Sequence, residues 1–233
     1  MSTKIKVLQV IPKLGFGGAE TGCYDLAHYL SEQNCKSFLI TSGGQLLKYV
    51  RRDKVKVIRL PVNSKNPIVI FFNFIIIFFI LLIYKIDIVH ARSRAPAWSC
   101  LWACFFSGTK FITTFHLTYN FSSKLKHFYN SVMVRSKLII GGSNFIFDHI
   151  NRNYQKYLNL KKQKLMVIFR GINLEFFDKN NVSEKKVNAL AESWKINRKN
   201  FIILLPGRLT KWKGQEIFIE ALNLLIEEHN NEN

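Results

Sequence analysis

Glycines and polar side chains follow several apolar segments of the sequence, at the positions where open α/β sheets bind ligands. The first segment, KVLQVI, leads into the loop PKLGFGGAE (12–20), from which a helix is predicted to start. Gly15, Gly17 and Gly18 allow the backbone to approach a ligand, and the helix N-terminus offers unpaired N–H groups to an anion. The loop lacks the last glycine of the dinucleotide fingerprint and the Gly-Lys-Ser/Thr of a P-loop. A ligand-binding loop and a simple glycine-containing turn both fit this pattern.

Two histidines and two arginines lie at similar positions further along the chain. His116 directly follows FITTF, and His90 lies near the end of DIVHA. A histidine there can donate a hydrogen bond or polarise a bound oxygen, although it can also serve only to end the strand. Arg92 and Arg94 follow His90 and form a basic cluster suited to a phosphate or carboxylate, which makes them candidate acceptor or anion contacts.

A third basic group lies near the C-terminus, in FIILLPGRLTKWKGQ (201–215). Arg208 follows an apolar segment and a glycine, and Lys213 precedes Gly214 and a predicted helix. This arrangement places a guanidinium and an ammonium around a helix N-terminus, which suits a diphosphate.

Seven short segments rich in Val, Ile and Phe are predicted to be the strands that position these residues. They are KVLQVI (6–11), SFLIT (37–41), VKVIRL (55–60), DIVHA (87–91), FITTF (111–115), KLIIG (137–141) and LMVIF (165–169). Most gaps between them are long enough for a helix, and Ser143 is a predicted N-cap for a helix over 145–157. Strands that alternate with helices predict an α/β fold with a Rossmann-like, doubly wound and mainly parallel sheet.

The pattern changes after residue 172. Residues 173–200 are polar and contain one predicted short helix (183–194), which indicates a linker. A new strand (201–205) and helix (215–228) follow. We therefore predict a domain over 1–172, a linker over 173–200 and a strand-helix unit of a second domain over 201–233.

The segment IVIFFNFIIIFFILLIY (68–84) is almost wholly apolar, with Asn73 as the polar side chain before Tyr84. A membrane-spanning helix needs about 20 such residues, so this segment is slightly short. It also lies between two predicted strands of one sheet, where spanning would disrupt the domain. The alternatives are a helix pressed into a lipid surface and a helix that packs on the sheet, and both are favoured over spanning.

The composition is strongly basic, with 34 Lys and Arg against 15 Asp and Glu and a formal net charge of +19. Such an excess favours anionic partners, among them acidic lipid and phosphorylated small molecules, although a solvated basic surface gives the same total. Nucleic acid is not expected, because no known motif is present and the aromatic residues lie in apolar segments. The four cysteines have neither CxxC nor zinc-finger spacing, so we expect reduced thiols, a cytoplasmic protein and no metal site.

Taken in order, four segments resemble glycosyltransferases of the GT-B fold, family 4 type: GFGGAE, DIVHARSRAPAW, TTFH and LLPGRLTKWKGQ. VIFRGINLEFF (167–177) also resembles the NGID…F segment that closes the family's N-terminal domain, with Arg170 in place of the asparagine. The resemblance covers nearly the whole chain.

The resemblance implies two Rossmann-like domains, an N-terminal one for the acceptor and a C-terminal one for a nucleotide-diphosphate sugar. It implies transfer with retention, without a metal or other cofactor. Gly17 and Gly18 would meet the donor phosphate or sugar through their backbone, and His116 would contact the donor sugar as the catalytic residue. Arg208 and Lys213 would hold the diphosphate and stabilise the leaving group. Acceptors in the envelope or linked to lipid would place the chain at the inner face of the membrane.

The sequence departs from the family in its C-terminal part, because the E-x7-E motif that grips the donor sugar does not occur there. Glu216, Glu220 and Glu227 do not match it. We therefore expect a truncated or split transferase with impaired activity alone, whose donor domain is supplied by a second chain or was lost. The alternative is a non-catalytic membrane- or acceptor-binding module.

Overall fold

The protein, represented by a computed structural model, is described over residues 4–120, 122–197, 199 and 201–231. Seven strands lie where the sequence predicts them. They are β1 (Lys6–Val10), β2 (Lys36–Thr41), β3 (Val55–Arg59), β4 (Ile88–Ala91), β5 (Lys110–Phe115), β6 (Leu138–Gly141) and β7 (Lys164–Val167). The helices are α1 (Gly18–Glu32), α2 (Pro67–Tyr84), α3 (Arg94–Ser107), α4 (Lys124–Asn130), α5 (Asn144–Tyr154), α6 (Glu184–Ser193) and α7 (Gln215–Asn231).

The strands form one sheet in the order β3-β2-β1-β4-β5-β6-β7, and all six pairings are parallel. The order reverses direction between β1 and β4, because the chain winds outward from β1 on both sides. All seven strands therefore end at the same edge, where ligands of doubly wound sheets bind. The predicted Rossmann-like, doubly wound sheet is confirmed.

Helices cover both faces of the sheet. Neighbouring residues of a strand point to opposite faces, and Leu39 and Ile40 of β2 belong to different apolar clusters. Leu39 packs with Cys23 of α1, whereas Ile40 packs in the cluster that contains Ile77 of α2. α5 starts at its predicted N-cap, because the Ser143 hydroxyl accepts from the Ile146 N–H at 3.3 Å.

The apolar segment forms α2, which the Asn66 side chain caps by accepting from the Ile68 N–H at 2.9 Å. Among the described residues, α2 is the one helix long and apolar enough to cross a membrane. One side of it packs on the sheet and on α3, where the Ser99 hydroxyl donates to the Ile70 carbonyl at 2.8 Å. The packing prediction is thus confirmed for this side.

The outer side of α2 is exposed together with the end of α3. We call this surface the α2–α3 apolar face. It comprises Ile68, Phe71, Phe72, Ile76, Phe79, Leu82 and Ile83 of α2 and Trp102, Phe105 and Phe106 of α3. Lys65 and Lys85 are exposed at the two ends of α2.

The chain divides into two units, Met1–Gly171 and Ile172–Asn233. The second contains α6 and α7, and α6 closely matches the predicted short helix. The prediction of a strand over Phe201–Leu205 is wrong for this structure, because these residues form no strand and are exposed. A strand needs a neighbour for its backbone N–H and C=O groups, and every strand pairing among the described residues lies within β1–β7.

Candidate functional site

The glycine loop after β1 is held by the loop after β2. The Leu14 N–H donates to the Gly43 carbonyl at 2.7 Å, and the Leu46 N–H donates to the Leu14 carbonyl at 2.9 Å. Gly44 has a φ of +136°, and a Cβ there would collide with the backbone of Leu14. Only glycine fits this approach, so Gly43 and Gly44, which the sequence did not single out, position the predicted ligand loop.

α1 begins at Gly18 with its N-terminus at the carboxyl edge of the sheet. Gly17 is the N-cap residue, and its carbonyl accepts from the N–H groups of Glu20 and Thr21, both at 2.9 Å. No side chain caps the helix. The first N–H groups of a helix have no acceptor within it and carry the positive end of its dipole. This terminus can therefore receive an anion, and the ligand contact of Gly17 and Gly18 stays a prediction.

Arg92 follows β4 and is 7% exposed. Its Nη1 donates to Oε1 of Gln9 at 3.1 Å, and Nε2 of Gln9 donates to the carbonyl of Cys23 in α1 at 3.1 Å. A Cβ on Gly22 would lie 3.3 Å from Nη2, so the guanidinium packs against α1 where a side chain is missing. Burial lowers the pKa of Arg92. Its Nε is buried and has no hydrogen-bond partner among the described residues.

His116 follows β5 and meets a residue that the sequence did not identify as functional. Nη2 of Arg170, three residues beyond β7, donates to Nδ1 of His116 at 3.0 Å. Because arginine can only donate, Nδ1 must accept, which places the imidazole proton on Nε2. Nε2 is buried and has no partner in the described part of the chain. Burial and the charges of Arg92 and Arg170 lower the pKa of His116 to about 3, so the ring is neutral at pH 7.

Both guanidinium groups lie along one stripe of α1. A Cβ on Gly18 would collide with Nη1 of Arg170, and Gly22, one turn later, faces Arg92. Residues four apart in a helix share a face and are about 6 Å apart along its axis. We call Arg92, His116 and Arg170, with Gly18 and Gly22, the Arg92–Arg170 cluster.

The charges of this cluster are not neutralised by carboxylates. Among the described residues, one salt bridge lies within 4 Å, between Lys54 and Glu32. Glu20 is the acidic residue in the first turn of α1, and its carboxylate turns toward Gly17. The cluster is therefore a site of excess positive charge at the carboxyl edge of the sheet.

His90 lies beside the cluster within β4. Its Nε2 shares a hydrogen bond with the Thr114 hydroxyl at 2.7 Å. Burial holds its pKa well below the usual range, so the ring is neutral at pH 7. The hydrogen bond of His90 thus links β4 to β5, the two strands that precede Arg92 and His116.

Arg94, the second predicted anion contact after β4, has other partners. Its Nη1 donates to Oδ1 of Asn130 at 2.8 Å, and its guanidinium lies 4.2 Å from the ring centre of Tyr119. These contacts join the start of α3 to the end of α4. The structure therefore brings Arg92, and not Arg94, to the cluster, and an anion contact of Arg94 stays a prediction.

Arg208 and Lys213 lie in the second unit, on the turn before α7. The Arg208 carbonyl accepts from Nε2 of Gln215 at 2.9 Å, and the Lys213 N–H donates to the Thr210 carbonyl at 2.8 Å. Gly214 follows with a φ of +74°, and α7 begins at the next residue. The backbone of the predicted diphosphate turn therefore folds onto a helix N-terminus, and the role of the two side chains stays a prediction.

Elsewhere in the described residues, metal ligands and clefts offer no further candidate site. Within the described residues, no three His, Cys, Asp or Glu side chains are grouped to hold a metal ion. A shallow cleft of about 560 Å³ is lined by Lys36, Arg52 and Lys56, among others. Because Lys36 starts β2, this cleft lies at the amino edge of the sheet. It is thus at the edge opposite the one where such sheets bind ligands.

Comparison with known proteins agrees with this geometry. The family model of Glycosyltransferase Family 4 matches residues 16–176, more than half of the chain. The chain belongs to glycosyltransferase family 4. No curated protein sequence matches it significantly.

Solved structures match the chain over almost its full length. A glycosyltransferase from Rickettsia africae is 39% identical, with a TM-score of 0.82, and the match covers 95% of this chain and 57% of that one. Anabaena HepE in complex with UDP and glucose is 17% identical, with a TM-score of 0.73 and coverages of 94% and 57%. Sucrose-phosphate synthase from Thermosynechococcus elongatus is 13% identical, with a TM-score of 0.72 and coverages of 94% and 59%. The chain thus spans less than three-fifths of the length of each of these proteins.

Proposed function

We propose that the chain takes part in retaining sugar transfer from a nucleotide-diphosphate sugar, with Met1–Gly171 as the acceptor domain. The observation that supports this most is the Arg92–Arg170 cluster beside an uncapped helix N-terminus, in a member of glycosyltransferase family 4. Gly17 and Gly18 contact the donor phosphate or sugar through the backbone. Neutral His116 donates from Nε2 to a sugar hydroxyl near the reaction centre. Arg208 and Lys213 bind the diphosphate and stabilise the leaving group.

The donor is a nucleotide sugar, and a uridine nucleotide is the first to test, because HepE is solved with UDP-glucose. Turnover needs a complete donor domain, since this chain spans 57% of the length of that relative. Either the same polypeptide or a second chain can supply it.

The decisive experiment measures UDP-glucose binding and transfer by the 233-residue chain, alone and completed by the donor domain of a relative. We expect weak binding and no turnover alone, and transfer by the completed protein that His116→Ala reduces at least 100-fold. Robust transfer by the chain alone would contradict the need for a donor domain. Neither binding nor transfer by the completed protein, with a panel of nucleotide sugars, would contradict the transferase itself.

The acceptor is an envelope or lipid-linked sugar, and the chain works at the inner face of the membrane. Support comes from the α2–α3 apolar face, where phenylalanines are exposed between Lys65 and Lys85. Apolar side chains flanked by cations suit a surface of acidic lipid, which takes up both kinds of group. The net charge of +19 also favours a surface of acidic lipid.

The same face supports the second candidate, a non-catalytic module that binds membranes. Co-sedimentation with vesicles of acidic lipid tests it, with vesicles of phosphatidylcholine as the control. We expect binding to the acidic vesicles that weakens with salt. A chain that stays in solution with both vesicle types at low salt does not use this face for membranes.

A further inference from the structure

The Arg92–Arg170 cluster lacks hydrogen-bond acceptors in particular. Its two buried, unpaired side-chain atoms are Nε of Arg92 and Nε2 of His116. Nε carries a hydrogen in every state of arginine, and Nε2 carries one because Arg170 donates to Nδ1. The first N–H groups of α1 are donors as well. The unsatisfied groups are therefore all donors, and a ligand rich in acceptors would satisfy them together.

The cluster also lacks negative charge. Arg92 is buried, its guanidinium donates to the neutral amide of Gln9, and no carboxylate in the described part of the chain lies within 4 Å of it. A buried charge without a counter-charge is costly and is usually paired or neutralised. Arg170 adds a second cation one helical turn away on the same stripe of α1. A bound anion would lower the cost of both charges.

We propose that Met1–Gly171 contains an anion-binding site formed by Arg92, Arg170 and the N-terminus of α1, which holds a phosphate or carboxylate group of a sugar substrate. The identification of the ligand as a substrate rests on the proposed function, whereas anion binding itself does not. Arg170 determines the specificity of the site, because the family segment that it resembles has a neutral asparagine at this position. This chain therefore accepts a charged group where an asparagine would favour a neutral one.

Titration of the 233-residue chain with inorganic phosphate tests the site. Binding is measured by calorimetry and by the NMR signal of the His116 ring. Arg170→Asn removes one cation and installs the residue of the family segment. Because charge-assisted hydrogen bonds are strong, we expect phosphate affinity to fall at least 10-fold. The His116 signal of the parent should shift on binding, because the anion accepts from Nε2–H and changes the surroundings of the neutral ring.

Arg152→Asn is the matched control, because it makes the same change at an exposed arginine in the last turn of α5. We expect it to leave phosphate affinity within twofold of the parent. Equal phosphate affinity of the parent and Arg170→Asn would overturn the proposal, as would binding without a change at His116. Arg92→Lys, which keeps the charge but loses the planar fork, should also weaken binding while the chain remains folded by circular dichroism.

Three further ligands identify the source of the anion. UDP carries the donor phosphates, whereas glucose 6-phosphate and glucuronate represent acceptor sugars with a phosphate or a carboxylate. If Arg170→Asn weakens UDP binding alone, the site holds the donor phosphate. If it weakens binding of the two sugars alone, the site holds an anionic acceptor. These measurements do not depend on turnover. If the chain binds phosphate through Arg170 but transfers no sugar, the anion-binding site is supported and only the proposed sugar transfer fails.

Discussion

At the carboxyl edge of the sheet Arg92 is 7% exposed, whereas on the α2–α3 apolar face Phe105 is 78% exposed. A charge is thus buried in one region and a large apolar ring is exposed to water in the other, and each arrangement is unfavourable in a solvated chain. The two regions differ in what would relieve the cost. The Arg92–Arg170 cluster needs acceptors and negative charge, whereas the apolar face needs a low-dielectric surface. This difference supports the different partners proposed for them, a polar substrate group and a lipid surface.

The largest effect is expected at Gly44, which supports the glycine loop before α1 but not the apolar face. Gly44→Ala places a Cβ against the backbone of Leu14 at a φ of +136°. We expect a loss of about 3 kcal/mol in the free energy of unfolding, measured by urea denaturation. Gly108→Ala is the control, because its φ of +72° is also strained but no atom lies within 4 Å. If the two variants lose the same free energy of unfolding, the close approach of residue 44 to the Leu14 backbone does not contribute to stability.

The second prediction tests the apolar face alone. Phe71→Ser, Phe79→Ser and Phe105→Ser combined should weaken binding to acidic vesicles roughly 100-fold, because each phenylalanine contributes apolar area to the interface. Phosphate binding should not change. Phe145→Ser, at an exposed phenylalanine of α5, is the control. Vesicle binding that survives the triple variant would remove this face as the membrane surface.

The third prediction changes the cluster through a substitution in α1. The added Cβ of Gly18→Ala would collide with Nη1 of Arg170, and the flexible guanidinium can move away. We expect about a 10-fold loss of phosphate affinity, as for Arg170→Asn, at unchanged or slightly raised thermal stability, since alanine favours the helix. Gly108→Ala, after α3 and outside the glycine loop, has no atom within 4 Å and should bind phosphate as the parent does. If Gly18→Ala binds phosphate as tightly as the parent, the position of Arg170 beside Gly18 is not required for anion binding.

The fourth prediction concerns the pH dependence of stability. The folded pKa of His116 is about 3, below the value of 6.5 that is usual for the unfolded chain. Between these values the unfolded state binds the extra proton, so stability is full above pH 6.5 and falls as the pH decreases toward 3. The slope from this one group is at most about 1.4 kcal/mol per pH unit. Urea denaturation at pH 7 and pH 5 should show a smaller loss for His116→Gln than for the parent, and equal losses would contradict a buried neutral ring.

The strands could be predicted because each is a short apolar run between polar residues, as in KVLQVI and FITTF. The parallel order followed from their alternation with helices. Arg170 was missed because it lies 54 residues from His116 in the sequence, and no local spacing indicates that β5 and β7 bring them together. The strand over Phe201–Leu205 was wrong because apolar composition predicts a strand without showing whether a partner is present. Arg94 has the residue type of an anion contact, and residue type alone does not show that its guanidinium contacts Asn130 and Tyr119. Its anion contact stays a prediction.

The contact between Arg170 and Gly18 has a consequence for the evolution of the family. A side chain at position 18 displaces the guanidinium of Arg170 from its place against α1. Substitutions at these two positions are therefore expected to depend on each other, because an arginine at 170 can occupy this place against α1 only where position 18 is glycine. Among homologues, arginine at 170 should accompany glycine at 18, whereas an asparagine at 170 should tolerate alanine or serine there.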